Sequence, residues 1–558
     1  MPFGAEVMAQ GGVRFRLWAP GASKVELELA GRFLPLQAGR DGWYDHLVAA
    51  AGAGTLYRYR IDGEVLVPDP ASRFQPRDVE GPSQVVAPAD YKWSSHTWAG
   101  RPWNEAVVYE LHVGTFTPEG TYAGAAKKLK HLADLGVTAI ELMPLADFAG
   151  KRNWGYDGVL PYAPDSVYGK PEDLKALIDA AHSLNLMVLL DVVYNHFGPK
   201  GNYLPRYAPQ FFTERHKTPW GAAIDFANPV VRQYFVHNVL YWLEEYWFDG
   251  LRFDAVHAII DDSKRHILEE IRANVPPGKH LILENDANQA RFLGNGKYTA
   301  QWNDDSHHGY HVLATGESDG YYAAYADAPA KHLARCLAEG FAYQGEVSPF
   351  SNEPRGEPSA HLPPSCFVDF LQNHDQVGNR AFGERITTLS EERALKALSA
   401  IQLLAPSPPL IFMGEEWGCT QPFLFFCDFD GELGEAVRNG RREEFARFAS
   451  FKGTIPDPIA EATFRKCVLD WNKRDATWLA HYKKLLQVRA RAIAPKRFGP
   501  GKYRMLGERA FEVRWDGLAL LANCAEQPLA VHDAPGDKPL WSNGRPGTPW
   551  SVNWWLTK

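Results

Sequence analysis

The stretch "GLRFDAVHAI", Gly250 to Ile259, decides how the rest of the chain is read. Leu251, Phe253, Ala255 and Val256 give it the look of a buried strand, yet Arg252 and Asp254 interrupt the apolar run. A buried charge without a partner costs several kcal/mol or changes its protonation. The side-chain period of a strand is two, so Arg252 and Asp254 share one face. Charges on one face near the end of an apolar strand suit a barrel, whose strand ends converge on a common site.

Seven further runs resemble it. They are "VVYELHVG" (107–114), "AIELMPL" (139–145), "LMVLLDVVYNH" (186–196), "HLILEND" (280–286), "AQWND" (300–304), "CFVDFLQNHD" (366–375) and "PLIFMGEE" (409–416). Helical patterns fall between them, including "PEDLKALIDAAHSLN", a segment starting near Pro229, and "DDSKRHILEEIRANV" with acidic residues at its start. Eight apolar strands alternating with helices point to a central (β/α)8 TIM barrel. An open doubly wound sheet is the alternative, but no GxGxxG follows the first strand and no Walker motif occurs.

Outside this region the period changes to two. "GVRFRLW", "KVELELAG" and "TLYRYRIDG" alternate apolar and charged residues between Gly and Pro turns, and "RAFEVRW" and "GLALLAN" do so near the end. The expected domains are an N-terminal β-sandwich (1–95), a catalytic barrel with loop insertions (96–496) and a C-terminal antiparallel β-domain (497–558).

Composition excludes several classes. A net charge of −8 argues against a nucleic-acid partner. No apolar run reaches the roughly 18 residues of a membrane span, and no signal peptide is visible. Six scattered cysteines without a CxxC read as free thiols, so a cytoplasmic setting is expected. Most of the 18 Trp, 23 Tyr and 30 Phe suit a large core. Those in the polar loops "RNWGYDG" and "KTPWGAAIDF" suit a groove for flat-faced ligands instead.

The active site of such a barrel lies at the C-terminal strand ends. The third strand ends with Asp191, Asn195 and His196, the fourth with Arg252, Asp254 and His257. The fifth ends at Glu284, and the seventh with Asn373, His374 and Asp375. A lone aspartate there is usually a cap, but four such ends together are a site. With no GxSxG and no HExxH, glycoside cleavage fits best: one carboxylate as nucleophile or base, a second carboxylic acid for the leaving oxygen. Glu284 follows an apolar run and should face Asp254 and Asp375, so burial and negative charge should keep it protonated. Arg252 should keep Asp254 ionised.

"DVVYNH", "GLRFDAVHAI", "LILEND" and "FLQNHD" resemble, in order and spacing, the four strand-end motifs of the α-amylase family of glycoside hydrolases. The N-terminal sandwich followed by "VVYELHVGTFTPEGTY" resembles the subgroup of branching enzymes, isoamylases and trehalohydrolases. "RNWGYDGVLPYAPDSVYGKPEDLK", "NHFGPKGNYL", "AQWNDDSHHGYHVLATGE" and "FLFFCDFDGELGEAVRNGRREEFARF" are similar to its trehalohydrolase branch. The resemblance implies a sandwich of carbohydrate-binding type. It also implies hydrolysis of the α-1,4-glucosidic bond beside the terminal trehalose of a maltooligosyl trehalose, releasing trehalose in its biosynthesis, with retention. A glycogen debranching or branching enzyme of the same family is the alternative, because the same carboxylates serve all three.

By the same resemblance Asp254 is the nucleophile, Glu284 the acid and base, and Asp375 the stabiliser of the transition state. Arg252, His196 and His374 contact the sugar and Tyr156 stacks beneath it; Asp191 and His257 also match. A partner maltooligosyl trehalose synthase is implied, and no cofactor. The cluster Asp304, Asp305, His307, His308 and His311 invites a metal reading, but a sugar subsite through Asp304, Asp305 and His308, or plain loop structure, is preferred. Trp220, Asp225 and Phe226 are candidates for the second trehalose glucose. In "NDANQA" after Glu284, Ala287 stands where an acidic residue or an amide is expected.

Overall fold

Eight short parallel strands close on themselves: β1 (Val108–Leu111), β2 (Ala139–Leu142), β3 (Met187–Val192), β4 (Gly250–Phe253), β5 (His280–Leu283), β6 (Ala300–Trp302), β7 (Phe367–Phe370) and β8 (Pro409–Phe412). They pair in chain order, and β8 returns to β1. Each lies within one of the eight apolar runs. The structure, a computed structural model, describes residues 1–446, 454–531 and 534–557. Arg447 and Phe448, which end the last similar segment, lie outside the described residues, as do His532, Asp533 and Lys558 of the 497–558 segment.

Alternation divides the strands into two faces. Val108, Ala139, Met187, Leu189, Ile282, Ala300, Trp302, Val368, Phe370 and Leu410 form one buried apolar cluster that fills the barrel. Tyr109, Ile140, Val188, Leu190, Leu251, Phe253, Leu281, Leu283 and Ile411 point the other way and join the core under the helices. Nearer the C-terminal ends the inner positions become polar: Glu110, Glu141, Asp191 and Arg252, all buried. β4 starts with glycine for a steric reason, since a Cβ at Gly250 would lie 2.0 Å from the His280 carbonyl oxygen.

The helix Pro229–Glu245 starts on its proline, with the Asn228 side chain accepting the Val230 N–H. Two segments differ from expectation. The helix read from Asp261 begins only at Ile267, because the Asp261 carboxylate accepts from Arg232 and from the Ser263 and Ile267 N–H groups. Conversely, "DDSHHGYHVLAT" is no loop but the helix Asp304–Thr315, following directly on β6.

Two antiparallel sheets precede the barrel, packing Val13, Phe15 and Leu17 against Val25, Leu27, Tyr57 and Tyr59. The joint to the barrel turns on Arg73. Its guanidinium lies 4.7 Å from the Tyr162 ring and 4.6 Å from the Tyr241 ring, and it donates to the carbonyls of Ala71 and Phe3. A five-stranded antiparallel sheet follows the barrel, held by the Trp554 indole on the Ala400 carbonyl (3.0 Å) and by Arg509 on that of Leu313 (2.7 Å). Among the described residues no helix is long and apolar enough to cross a membrane.

Arg73→Ala should therefore loosen the N-terminal sandwich. It removes a desolvated cation–π contact and two charged hydrogen bonds, together about 3 kcal/mol. The first transition in urea denaturation should move to lower concentration; an unshifted midpoint would assign the joint to other contacts.

Candidate active site

Arg252 on β4 is the hub. It is 1 % exposed and lies 4.1 Å above the Trp302 ring on β6. Its Nη1 donates to both Asp191 oxygens on β3, at 2.9 and 2.7 Å, and to Asp254 Oδ1 at 2.9 Å. Its Nη2 donates to Glu284 Oε2 at 2.7 Å. Arg252 does reach Asp254, but it reaches Glu284 as closely, so it does not discriminate between the two carboxyls. Their other partners differ. Asp254 Oδ2 accepts from the Asn195 amide at 2.8 Å. Glu284 Oε2 accepts the Ala255 N–H at 2.8 Å, with Ala255 in a left-handed conformation (φ 40°) that costs ~1–2 kcal/mol for a non-glycine residue.

Around this hub the strand ends supply aromatic and imidazole groups. Tyr156 donates to Asp191 Oδ2 at 2.6 Å and stacks on His374, centroids 5.1 Å apart. Gly155 sets this loop: its φ is 105°, and a Cβ there would meet the Pro144 carbonyl at 2.2 Å. His374 meets the buried Glu110 of β1 twice, through Nδ1 at 2.5 Å and its backbone N–H at 3.0 Å. Burial pulls the His374 imidazolium down, but Glu110 outweighs it and leaves the group above its usual value. Burial takes His196 down to about 4, against a hydrogen bond to the Tyr156 backbone, so it is neutral at pH 7. Its ring stacks on Trp220, 4.1 Å away and nearly parallel. Burial pushes the Asp191 carboxyl up to about 7, against the pull of Arg252 and Tyr156. Glu141 on β2, between Glu110 and Asp191, is pushed well up by burial and by both neighbours.

A cavity of about 520 Å³ opens beside the hub, lined by Glu284, Asp375, Asp304, His308, Tyr321 and Arg355 among others. It is rich in carboxyl groups. Burial, then Glu284, Asp286 and Asp375, push Asp304 well above the usual carboxylate range. Asp375 is raised by burial first, with Glu284 adding to it. Arg355 is the cation here, pairing with Asp286 at 3.0 Å and with Asp305 at 2.5 Å.

The structure separates the polar residues around β6. Asp304 and His308 line the cavity, but Asp305 does not. The oxygens of Asp305 accept from Arg355, Tyr325, Asn288 and the Ala342 N–H, so it holds the wall rather than facing it. Burial opposes its ionisation, but Arg355 and Tyr325 hold the carboxyl at about 2. His307 bonds the Leu371 carbonyl and His311 bonds Glu317, so both are framework. Among the described residues no group of three His, Cys, Asp or Glu side chains is placed to hold a metal. His257 is exposed and accepts from the Asp286 N–H at 3.3 Å. Of the three candidates in "KTPWGAAIDF", Phe226 is buried, Asp225 pairs with Arg215, and Trp220 is exposed and stacks on His196. Sequence reading missed Glu110, Glu141, Asn379, Tyr321 and Arg355. The buried charges in the strands "YEL" and "IEL" were a signal for Glu110 and Glu141; the others carry none beyond loop polarity.

Residues 94–220 match the family model of the alpha-amylase catalytic domain, and residues 2–73 that of carbohydrate-binding module 48, the isoamylase N-terminal domain. A malto-oligosyltrehalose trehalohydrolase of Deinococcus radiodurans is 45% identical over 86% of this chain and 81% of its own. One of Saccharolobus solfataricus is 41% identical over 88% and 87%. The crystal structure of a protein described as a putative alpha amylase from Salmonella typhimurium superposes with a TM-score of 0.96 at 48% identity, covering 100% of this chain and 99% of that one. The chain belongs to the malto-oligosyltrehalose trehalohydrolase family.

The Glu110–His374 pair makes stability depend on pH. The folded His374 titrates above its usual 6.5, so the pair's contribution is full below about pH 6.5 and fades as pH rises through the folded value. Glu110→Gln should thus cost about 2 kcal/mol at pH 6 and clearly less at pH 9, as read by denaturation at both. An equal loss at both would remove the charge from the explanation.

Proposed function

We propose that this family member hydrolyses the α-1,4-glucosidic bond next to the terminal trehalose of a maltooligosyl trehalose, releasing trehalose with net retention. The observation that carries this is the shared guanidinium. Asp254 and Glu284 both bond Arg252, which favours the close spacing of about 5 Å used in double displacement over the wider gap that admits a water. Asp254 attacks the anomeric carbon as its bond to the leaving oxygen breaks, and Glu284 gives its proton to that oxygen. Glu284 then takes a proton from water, whose oxygen attacks the same carbon and releases Asp254. Asp375 binds sugar hydroxyls and stabilises the positive charge of the transition state.

The two sides of the hub differ in a way that suits this substrate. Tyr156, His374, His196 and Trp220 present flat, neutral or cationic rings for the glucan part. The cavity on the Glu284 side is rich in carboxyl groups, suited to a disaccharide leaving group in contact with Asp304, His308, Tyr321 and Arg355. The named relatives support trehalose as that disaccharide. In this scheme residues 1–95 are a carbohydrate-binding-type sandwich, 96–496 the catalytic barrel and 497–558 a C-terminal β-domain. A synthase that forms the terminal trehalose on a glucan supplies the substrate. Six buried thiols, none paired, suit a reducing cytoplasm.

Purified protein given maltotriosyl trehalose should release trehalose far faster than it cleaves maltotetraose or a branched glucan. Preferential attack on α-1,6 links would instead favour a debranching enzyme. Asp254→Asn should lower kcat by about 1,000-fold or more with the fold unchanged. Nuclear magnetic resonance should show the α-anomer as the first-formed glycosyl product.

A further inference from the structure

We infer that Asn379, braced by Arg441, is a positioning residue that holds the Asp375 carboxylate in the orientation the reaction uses. The inference rests on the glycosidase reading above. Asp254 and Glu284 are fixed by Arg252, but Arg252 makes no hydrogen bond to Asp375. Asp375 is the second residue of the short helix His374–Gly378, where its N–H is accepted by the Asn373 side chain at 2.9 Å. That fixes its backbone and leaves the carboxylate to rotate. Among the described residues, the hydrogen-bond donor to this carboxylate is the Asn379 amide, 2.5 Å from Oδ1. A spacing of four places Asn379 one turn on, over the same side. With Oδ1 engaged, Oδ2 is presented to a sugar hydroxyl.

The brace comes from another part of the chain. Arg441, on the helix Gly431–Ala446, donates to the Gly378 carbonyl at 3.0 Å and reaches the Asn379 amide oxygen at 3.5 Å. The second contact matches the amide orientation in which the nitrogen faces Asp375. Arg441 is itself held by Glu444 at 2.8 Å and by the Phe425 ring, 5.2 Å from its guanidinium. Gly378 packs directly on Trp154, where a Cβ would lie 2.0 Å from the ring, so this turn seats against the Trp154 indole.

Asn379→Ala should lower kcat/KM by about 100-fold, mostly through kcat, since Asp375 acts on the transition state. Asn379→Ser, which keeps a donor, should recover part of this and guards against a folding defect. Asn379→Asp sets a second carboxyl against Asp375. The charges already facing Asp375 are Glu110, Glu284 and Asp304 against His374, Arg252 and Arg441. An added anion should raise the acidic limb of the kcat/KM profile by about one pH unit. Wild-type kcat in Asn379→Ala, or an unmoved acidic limb in Asn379→Asp, would overturn the inference. Asp254→Asn is assayed alongside. If that variant keeps activity, the catalytic reading falls and this inference with it. If it is inactive while Asn379→Ala is unimpaired, only this inference falls.

Discussion

A single buried guanidinium organises the molecule. Arg252 lies on the Trp302 ring and donates to carboxylates from three successive strand ends, Asp191, Asp254 and Glu284. Neither side of this arrangement is stable without the other. Arginine keeps its proton at any ordinary pH, so buried alone it would be an uncompensated charge. Three carboxyls converging on a barrel mouth would repel one another without it. The alternation of β3, β4 and β5 brings them together, and the apolar layer beneath keeps water from screening them.

One cation cannot hold every acid at this end of the barrel ionised. Two unit charges 4 Å apart interact by about 4 kcal/mol at an effective dielectric near 20, so each added carboxylate must find its own partner or stay neutral. Glu110 finds His374. Asp305 finds Arg355. Glu141 and Asp304 have no equally close cation and are pushed well up by burial first and by neighbouring acids second, whereas the rise that burial gives Asp375 is opposed by His374 and Arg252. The cavity is thus lined by groups that differ in charge state, able both to give and to accept hydrogen bonds. A sugar, whose hydroxyls do both, suits such a surface.

The barrel was legible because its strands are short, apolar and regularly spaced between helical segments, and because charges stood where strands should end. Asp191, Arg252, Asp254, Glu284 and Asp375 could be picked out from that pattern. What could not be read are pairings across long separations. Glu110 and His374 are 264 residues apart, and nothing local marks them as partners. Asp304 and Asp305 are neighbours in a helix, yet one lines the cavity and the other binds Arg355 behind it. Helical geometry turns adjacent residues about 100° apart, and no composition argument reveals which faces the ligand. The expectation that Arg252 would single out Asp254 failed for a related reason. Shared strand face correctly paired Arg252 with Asp254, but pairing of β4 with β5 brings Glu284 to the same guanidinium.

What then separates a nucleophile from an acid, if both touch the same cation? On the proposed mechanism the difference lies in what each oxygen meets. Both oxygens of Asp254 are engaged, Oδ1 by Arg252 and Oδ2 by the Asn195 amide. Donors on both oxygens hold the carboxylate in one orientation. Both bonds to Glu284 fall on Oε2, and its carboxyl lines the cavity among Asp304, Asp286 and Asp375. Among the described residues its Oε1 receives no hydrogen bond of this kind, and on the proposed mechanism it is this carboxyl that delivers a proton into the cavity. On that mechanism the leaving group sits in the cavity, and the proton goes where the bond breaks. Arg252 places the two carboxyls; Asn195 and the acidic wall give them different work.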